Sequence, residues 1–230
     1  MPPSVSPSSS VFPSNEPNLA FKGTYTIPPN PSFGTLTWNA EGQADPSSRY
    51  YSRNAHLPSS TSGITIGRGY DLKQHSEAEI LRDFTAAGLS PEQSILFANV
   101  RSLSGGAART FLSGGNLPEL SSEQEQSLFQ ASWNSAFRDV QRISALPSVV
   151  QVYGAIDWTT TDPAVRDLIV DLRYRGDYTP ATRAFIQSAV AQNDLESLSK
   201  VLSNRSLWAA VPPDRFERRR QAALEALGAS

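Results

Sequence analysis

After Ser122, apolar residues recur at three-to-four residue spacing as Leu128/Phe129, Trp133, Ala136/Phe137, Val140 and Ile143. The spacing predicts a buried central helix of about six turns, closed by Pro147. Shorter helical patterns flank it. Upstream, Ser76-Glu77-Ala78-Glu79 is a capping-box pattern opening a helix through Ile80, Leu81 and Phe84 that Gly88 ends. Ser90-Pro91 opens the next, with Ile95, Leu96 and Val100 as its expected apolar face. Glycine pairs at 105/106 and 114/115 bracket a shorter helix containing Ala108, Phe111 and Leu112. Downstream, Asp162-Pro163, Thr179-Pro180 and Asp194 each start a helix, the first ended by Gly176. A last helix, capped by Asp214, is expected to turn Phe216, Ala223, Leu224 and Leu227 inward.

The front of the chain breaks this pattern. Residues 1–32 hold 8 of the 17 prolines and 7 serines, which predicts an extended leader. Within it Leu19-Ala20-Phe21 and Tyr25-Thr26-Ile27 could lie along the domain surface as short strands. Residues 33–230 then form one domain, beginning with a short helix through Leu36 and Ala40 for which Ser32 is a candidate cap. A polar, aromatic loop from Asp45 to Thr61 leads into Gly63-Ile64-Thr65-Ile66-Gly67-Arg68-Gly69-Tyr70-Asp71, a glycine-rich hairpin pattern. The expected class is mostly α, α+β, with a small β-hairpin element and a long central helix.

Candidate chemistry concentrates in that front stretch. Glu41 ends the first helix and Gly42 follows, suited to the left-handed residue that stops a helix. A carboxylate at the negative end of a helix dipole retains its proton more readily. Asp71 lies across the hairpin from Glu41's element, with the Thr65 hydroxyl on the same ribbon. Two carboxylates on separate rigid elements suit glycosidic bond cleavage. Glu41 would then donate the proton, Asp71 would be the anionic partner, and Thr65 would place the attacking water. Asp71 as a plain turn cap and Thr65 as an ordinary strand residue are the competing readings. Asp45 competes with Asp71 for the second acid.

Composition narrows the classes. The chain of 230 residues is 39% hydrophobic, enough for a full core. It has no cysteine and two histidines, His56 and His75, so disulfides and cysteine-based zinc sites are excluded and no metal is expected. A formal charge of -2 does not suit a nucleic-acid partner, although all basic residues except Lys22, Lys73 and Lys200 are arginine. No apolar run approaches bilayer length and no cationic-then-apolar segment opens the chain. Membrane insertion and export by the ordinary signal route are therefore not expected.

Glu41-Gly42, Tyr50/Tyr51 and Gly63-Ile64-Thr65-Ile66-Gly67-Arg68-Gly69-Tyr70-Asp71-Leu72 together resemble the muramidase domain of the pesticin family, which has the phage-lysozyme-like fold. The resemblance runs from Phe33 to about Leu227 and includes Asp167 to Tyr174 and Arg218 to Leu224. It implies hydrolysis of the β-1,4 bond between N-acetylmuramic acid and N-acetylglucosamine, with catalytic Glu41, Thr65 and Asp71 and no cofactor. Where the common phage arrangement has its second acid, this chain has Tyr50; the order Glu, Thr, Asp follows the pesticin branch instead. The implied partner is bacterial peptidoglycan, attacked by a monomer made in the cytoplasm and delivered to the cell wall by a route other than a signal peptide. An immunity or inhibitor protein belongs to the same expectation if the domain is an antibacterial toxin. The alternatives are a chitin or chitosan glycosidase of this fold and a glycan-binding module without turnover.

Around these residues, Tyr51 and Tyr70 flank the turn and are candidates for stacking on a sugar, and Arg173 for reaching the cleft from a facing helix. Trp38, Trp133, Trp158 and Trp208 are expected in the core. Arg218 to Arg220 are expected to form a solvated face.

Overall fold

The computed structural model describes residues 33–229; the leader, its two candidate strands and the Ser32 cap lie outside that range. The class is mostly α with one small antiparallel sheet, as the spacing of apolar residues predicts. Helix α1 spans Thr35–Ala40. Its first residue is preceded by Gly34, at φ 72°, whose N–H is capped from a distance by Asp167 Oδ2 at 2.9 Å. Strands β1 (Thr65–Ile66) and β2 (Tyr70–Asp71) follow, then α2 (Glu77–Ala86), α3 (Pro91–Asn99) and α4 (Gly105–Ser113).

The central helix α5 covers Ser122–Ser144, and its Ser121 side chain accepts from the Gln124 N–H in a full capping box. Pro147 does more than close it. It is the first residue of α6 (Pro147–Tyr153), a helix too short to show a period of its own. Helices α7 (Pro163–Tyr174), α8 (Pro180–Ala191), α9 (Leu195–Ser203) and α10 (Pro213–Ala229) complete the chain.

Two hydrophobic clusters flank α5. One joins the hairpin to α2, α3 and α4 through Ile64, Ile66, Phe84, Phe97 and Leu128. The other joins α1 to the C-terminal helices through Trp38, Phe129, Trp133, Ile169 and Trp208. Consecutive residues Leu128 and Phe129 therefore serve different cores. The tryptophans fall as expected, with Trp158 packed at the edge of the second cluster. In α3 the expected face is turned: Ile95 and Leu96 are 48% and 45% exposed, while Ser94, Phe97 and Ala98 are buried. Leu224 is likewise exposed on α10.

Candidate functional site

The hairpin is made by its glycines. Gly67 and Gly69 have φ of 62° and 95°, values a side chain disfavours, and they bracket Arg68 at the tip. The register pairs Ile66 with Tyr70 and Thr65 with Asp71. Directly paired residues share a face of an antiparallel ribbon. Thr65 and Asp71 thus stand together on one face, Thr65 buried at 6% exposure and Asp71 half-buried, and Ile66 and Tyr70 are buried on the other. On the outer edge of β1, Thr65 exchanges both backbone hydrogen bonds with His56, each 2.9 Å, which extends the ladder to His56, Thr65, Asp71.

Asp71 Oδ1 accepts from the Lys73 N–H at 3.0 Å and caps the short 3-10 turn Leu72–Gln74, so it does serve the turn. The same oxygen lies over Gly63: a Cβ there would meet it at 2.5 Å. The carboxylate consequently rests on the Thr65 face, in space that only a glycine leaves open.

Glu41 enters from the other side. Its N–H donates to the Thr37 carbonyl at 2.9 Å as the C-cap of α1, and Arg175 Nη1 stands 2.9 Å from Oε1. Its other oxygen faces the hairpin tip, 3.9 Å from where a Cβ on Gly69 would be. Burial raises the Glu41 pKa above the ordinary value; Arg175 opposes this, Asp171 adds to it and Arg215 opposes it. Desolvation outweighs the guanidinium, and the proton is held more tightly than on a free glutamate.

Arg68 locks tip to helix. Its Nη1 donates to the Trp38 carbonyl at 2.7 Å, Nε lies 3.0 Å from Glu125 on α5, and the guanidinium sits 3.7 Å above the Trp38 ring. Tyr174 on α7 donates to the Arg68 carbonyl at 2.7 Å. Here Gly42 departs from its expected role. Its φ is not left-handed; it is glycine because a Cβ would fall 1.9 Å from Arg68 Nη1.

Behind Glu41 lies a buried charge network. The Thr37 hydroxyl donates to Asp171 Oδ1 at 3.0 Å, and Arg219 donates to Asp171 at 2.9 Å and to Asp177 at 3.0 Å. Arg219 is 2% exposed, so the expected solvated face of α10 is wrong at its middle arginine. Its charge is matched by two carboxylates from the α7 side.

The remaining sequence candidates fare differently. Tyr70 is 1% exposed, stacked on His75 and donating to Asp83 Oδ2 at 2.9 Å, which leaves no ring face for a sugar. Burial on the core face follows from its pairing with Ile66. Tyr51 is buried too, but it lines a cavity of about 440 Å³ with Trp38, Arg53, Arg68 and Glu125. Arg173 is engaged with Asp139 on α5, Nε to Oδ2 at 3.0 Å. The arginine that reaches Glu41 is Arg175, two positions on, where α7 ends. Asp45 accepts from the Ser47 N–H and hydroxyl at 2.9 and 2.8 Å, an Asx turn of its own in the exposed loop. A groove of about 800 Å³ runs between α1, α7 and α10 and includes none of Glu41, Thr65 and Asp71. Among the described residues no group of three or more His, Cys, Asp or Glu is placed to hold a metal ion.

Residues 34–220 match a family described as a domain of unknown function, DUF8812. The chain belongs to that family. No curated protein matches it.

Proposed function

We propose that this DUF8812 protein is a muramidase that hydrolyses the β-1,4 bond between N-acetylmuramic acid and N-acetylglucosamine. One observation carries the reading: Glu41, its proton affinity raised by burial, abuts the tip of a ribbon whose single face presents Thr65 and Asp71. The sequence resemblance supplies the substrate. In the reaction, the Glu41 carboxyl protonates the leaving glycosidic oxygen as positive charge develops at the anomeric carbon. The Asp71 carboxylate accepts a proton from a water held by the Thr65 hydroxyl, and that water attacks the opposite face of the sugar. This route inverts the anomeric centre, and it requires the two carboxyl groups to stand about 6.5 to 9.5 Å apart, with a water between them.

The test is clearance of purified cell walls with counting of new reducing ends. Wild type releases them and Glu41→Gln does not; equal clearing by both removes Glu41 as the proton donor. The ion pair of Glu41 with Arg175 favours a second reading, a glycan-binding module without turnover, because a guanidinium stabilises the form that cannot donate. That module would retain wall fragments and release no reducing ends.

A further inference from the structure

The His56 rung of the ladder borders a groove of about 660 Å³, lined in part by Arg49, Tyr50, His56, Leu57, Arg109 and Leu112. Among the described residues no carboxylate lines it. Arg49 lies 4.5 Å from the centre of the Tyr50 ring and donates to the Tyr50 hydroxyl. Among the described residues neither Arg49 nor Arg109 has a carboxylate partner, whereas Arg53, Arg101 and Arg142 at the surface each have one. Two guanidinia facing one concavity in a chain of net charge -2 leave a local positive field that a bound oxyanion would neutralise. The planar forks suit carboxylate or phosphate, and Tyr50, Leu57 and Leu112 offer an apolar bed for the group that carries it.

The groove's position says whose anion it is. His56 is paired with Thr65 and Thr65 with Asp71, so all three side chains share one face. Strands lie about 4.8 Å apart, which puts the groove's edge about 10 Å from Asp71. A ligand in the groove is therefore a neighbour of whatever Thr65 and Asp71 hold.

We propose that the Arg49/Arg109 groove binds an oxyanion carried on side arms of the wall polymer, foremost the carboxylates of the peptide stems attached to the glycan. The proposal rests on the muramidase reading for the identity of the polymer. Stem peptides branch from the muramic acid sugar, and the groove receives such a branch beside the strand that holds the glycan. Phosphate in wall polymers has the same chemistry, and the experiment separates the two.

The measurement is co-sedimentation of Glu41→Gln protein, which leaves its substrate intact, with three preparations: whole walls, walls stripped of stems by an amidase, and walls freed of phosphate polymers by acid. The added pair Arg49→Glu and Arg109→Glu is expected to weaken binding to whole walls about tenfold. Arg49→Lys with Arg109→Lys keeps the charge and most of the binding. Removing stems is expected to abolish the difference between the parent and the charge-reversed protein, and removing phosphate to leave it. The opposite pattern assigns the anion to phosphate and overturns the stem assignment. Equal binding by both proteins to whole walls, with unchanged circular dichroism, overturns the groove altogether. A wild type that releases no reducing ends sinks the hydrolase reading, while the sedimentation still reads the groove.

Discussion

Arg175 Nη1 stands 2.9 Å from Glu41 Oε1 where the C-terminal ends of α1 and α7 meet. Both helix ends are negative, which suits the arginine and opposes the ionised glutamate. A general acid works while protonated, so activity falls as pH rises through its pKa. Burial lifts the Glu41 pKa and Arg175 holds it down. Arg175→Ala is therefore expected to move the alkaline limb of kcat/KM against pH upward, and Arg175→Lys to bring it back. A limb that stays put in Arg175→Ala detaches Glu41 from the observed ionisation.

Gly63 keeps space for the Asp71 carboxylate. A Cβ at 63 would lie 2.5 Å from Oδ1 and 2.6 Å from the Lys73 Cβ. Gly63→Ala is expected to cut kcat about a hundredfold, the scale of a 1 Å misplacement. KM and the anomeric stereochemistry of the residual activity should be unchanged. Full activity in this variant would return Asp71 to the role of a simple turn cap.

Gly42 makes room for Arg68, whose guanidinium is pinned by the Trp38 carbonyl and Glu125. Gly42→Ala must displace that group from both, and a destabilisation of about 2 kcal/mol is expected in urea unfolding. Arg68→Met in the same background tests the cause. With the guanidinium gone the alanine should cost almost nothing further.

Asp171 depends on Arg219 for its charge balance. Arg219→Met strands a carboxylate that is 2% exposed, and the expected loss is about 3–5 kcal/mol, read from the denaturant midpoint. Asp171→Asn added to it should recover part of the loss. A single variant as stable as wild type would mean that water reaches the pair.

The helices were legible because their signals are local. Ser90 and Ser76 cap where the sequence places them, and the period of α5 follows from one stripe of apolar residues. The hairpin was legible from its glycines, with Thr65 and Asp71 flanking its turn; their direct pairing on one face comes from the register of the folded ribbon. What was hidden depends on distant neighbours. Arg173 and Arg175 differ by two positions at the end of one helix, and only the placement of α5 and α1 gives the first Asp139 and the second Glu41. Arg219 sits between two arginines of identical local character and is buried because α10 crosses the end of α7. Gly42 has the composition of a helix stop, yet its need for a hydrogen in place of a side chain comes from Arg68, 26 positions later by number and in contact only after folding.

The adjacency of Leu128 and Phe129, each committed to a different cluster, makes α5 a common wall. Neither half can lose its order without stripping the other of a side it needs. Heating should accordingly produce one melting event with matching calorimetric and van 't Hoff enthalpies, and the angle between the halves is governed by how this single rod is seated.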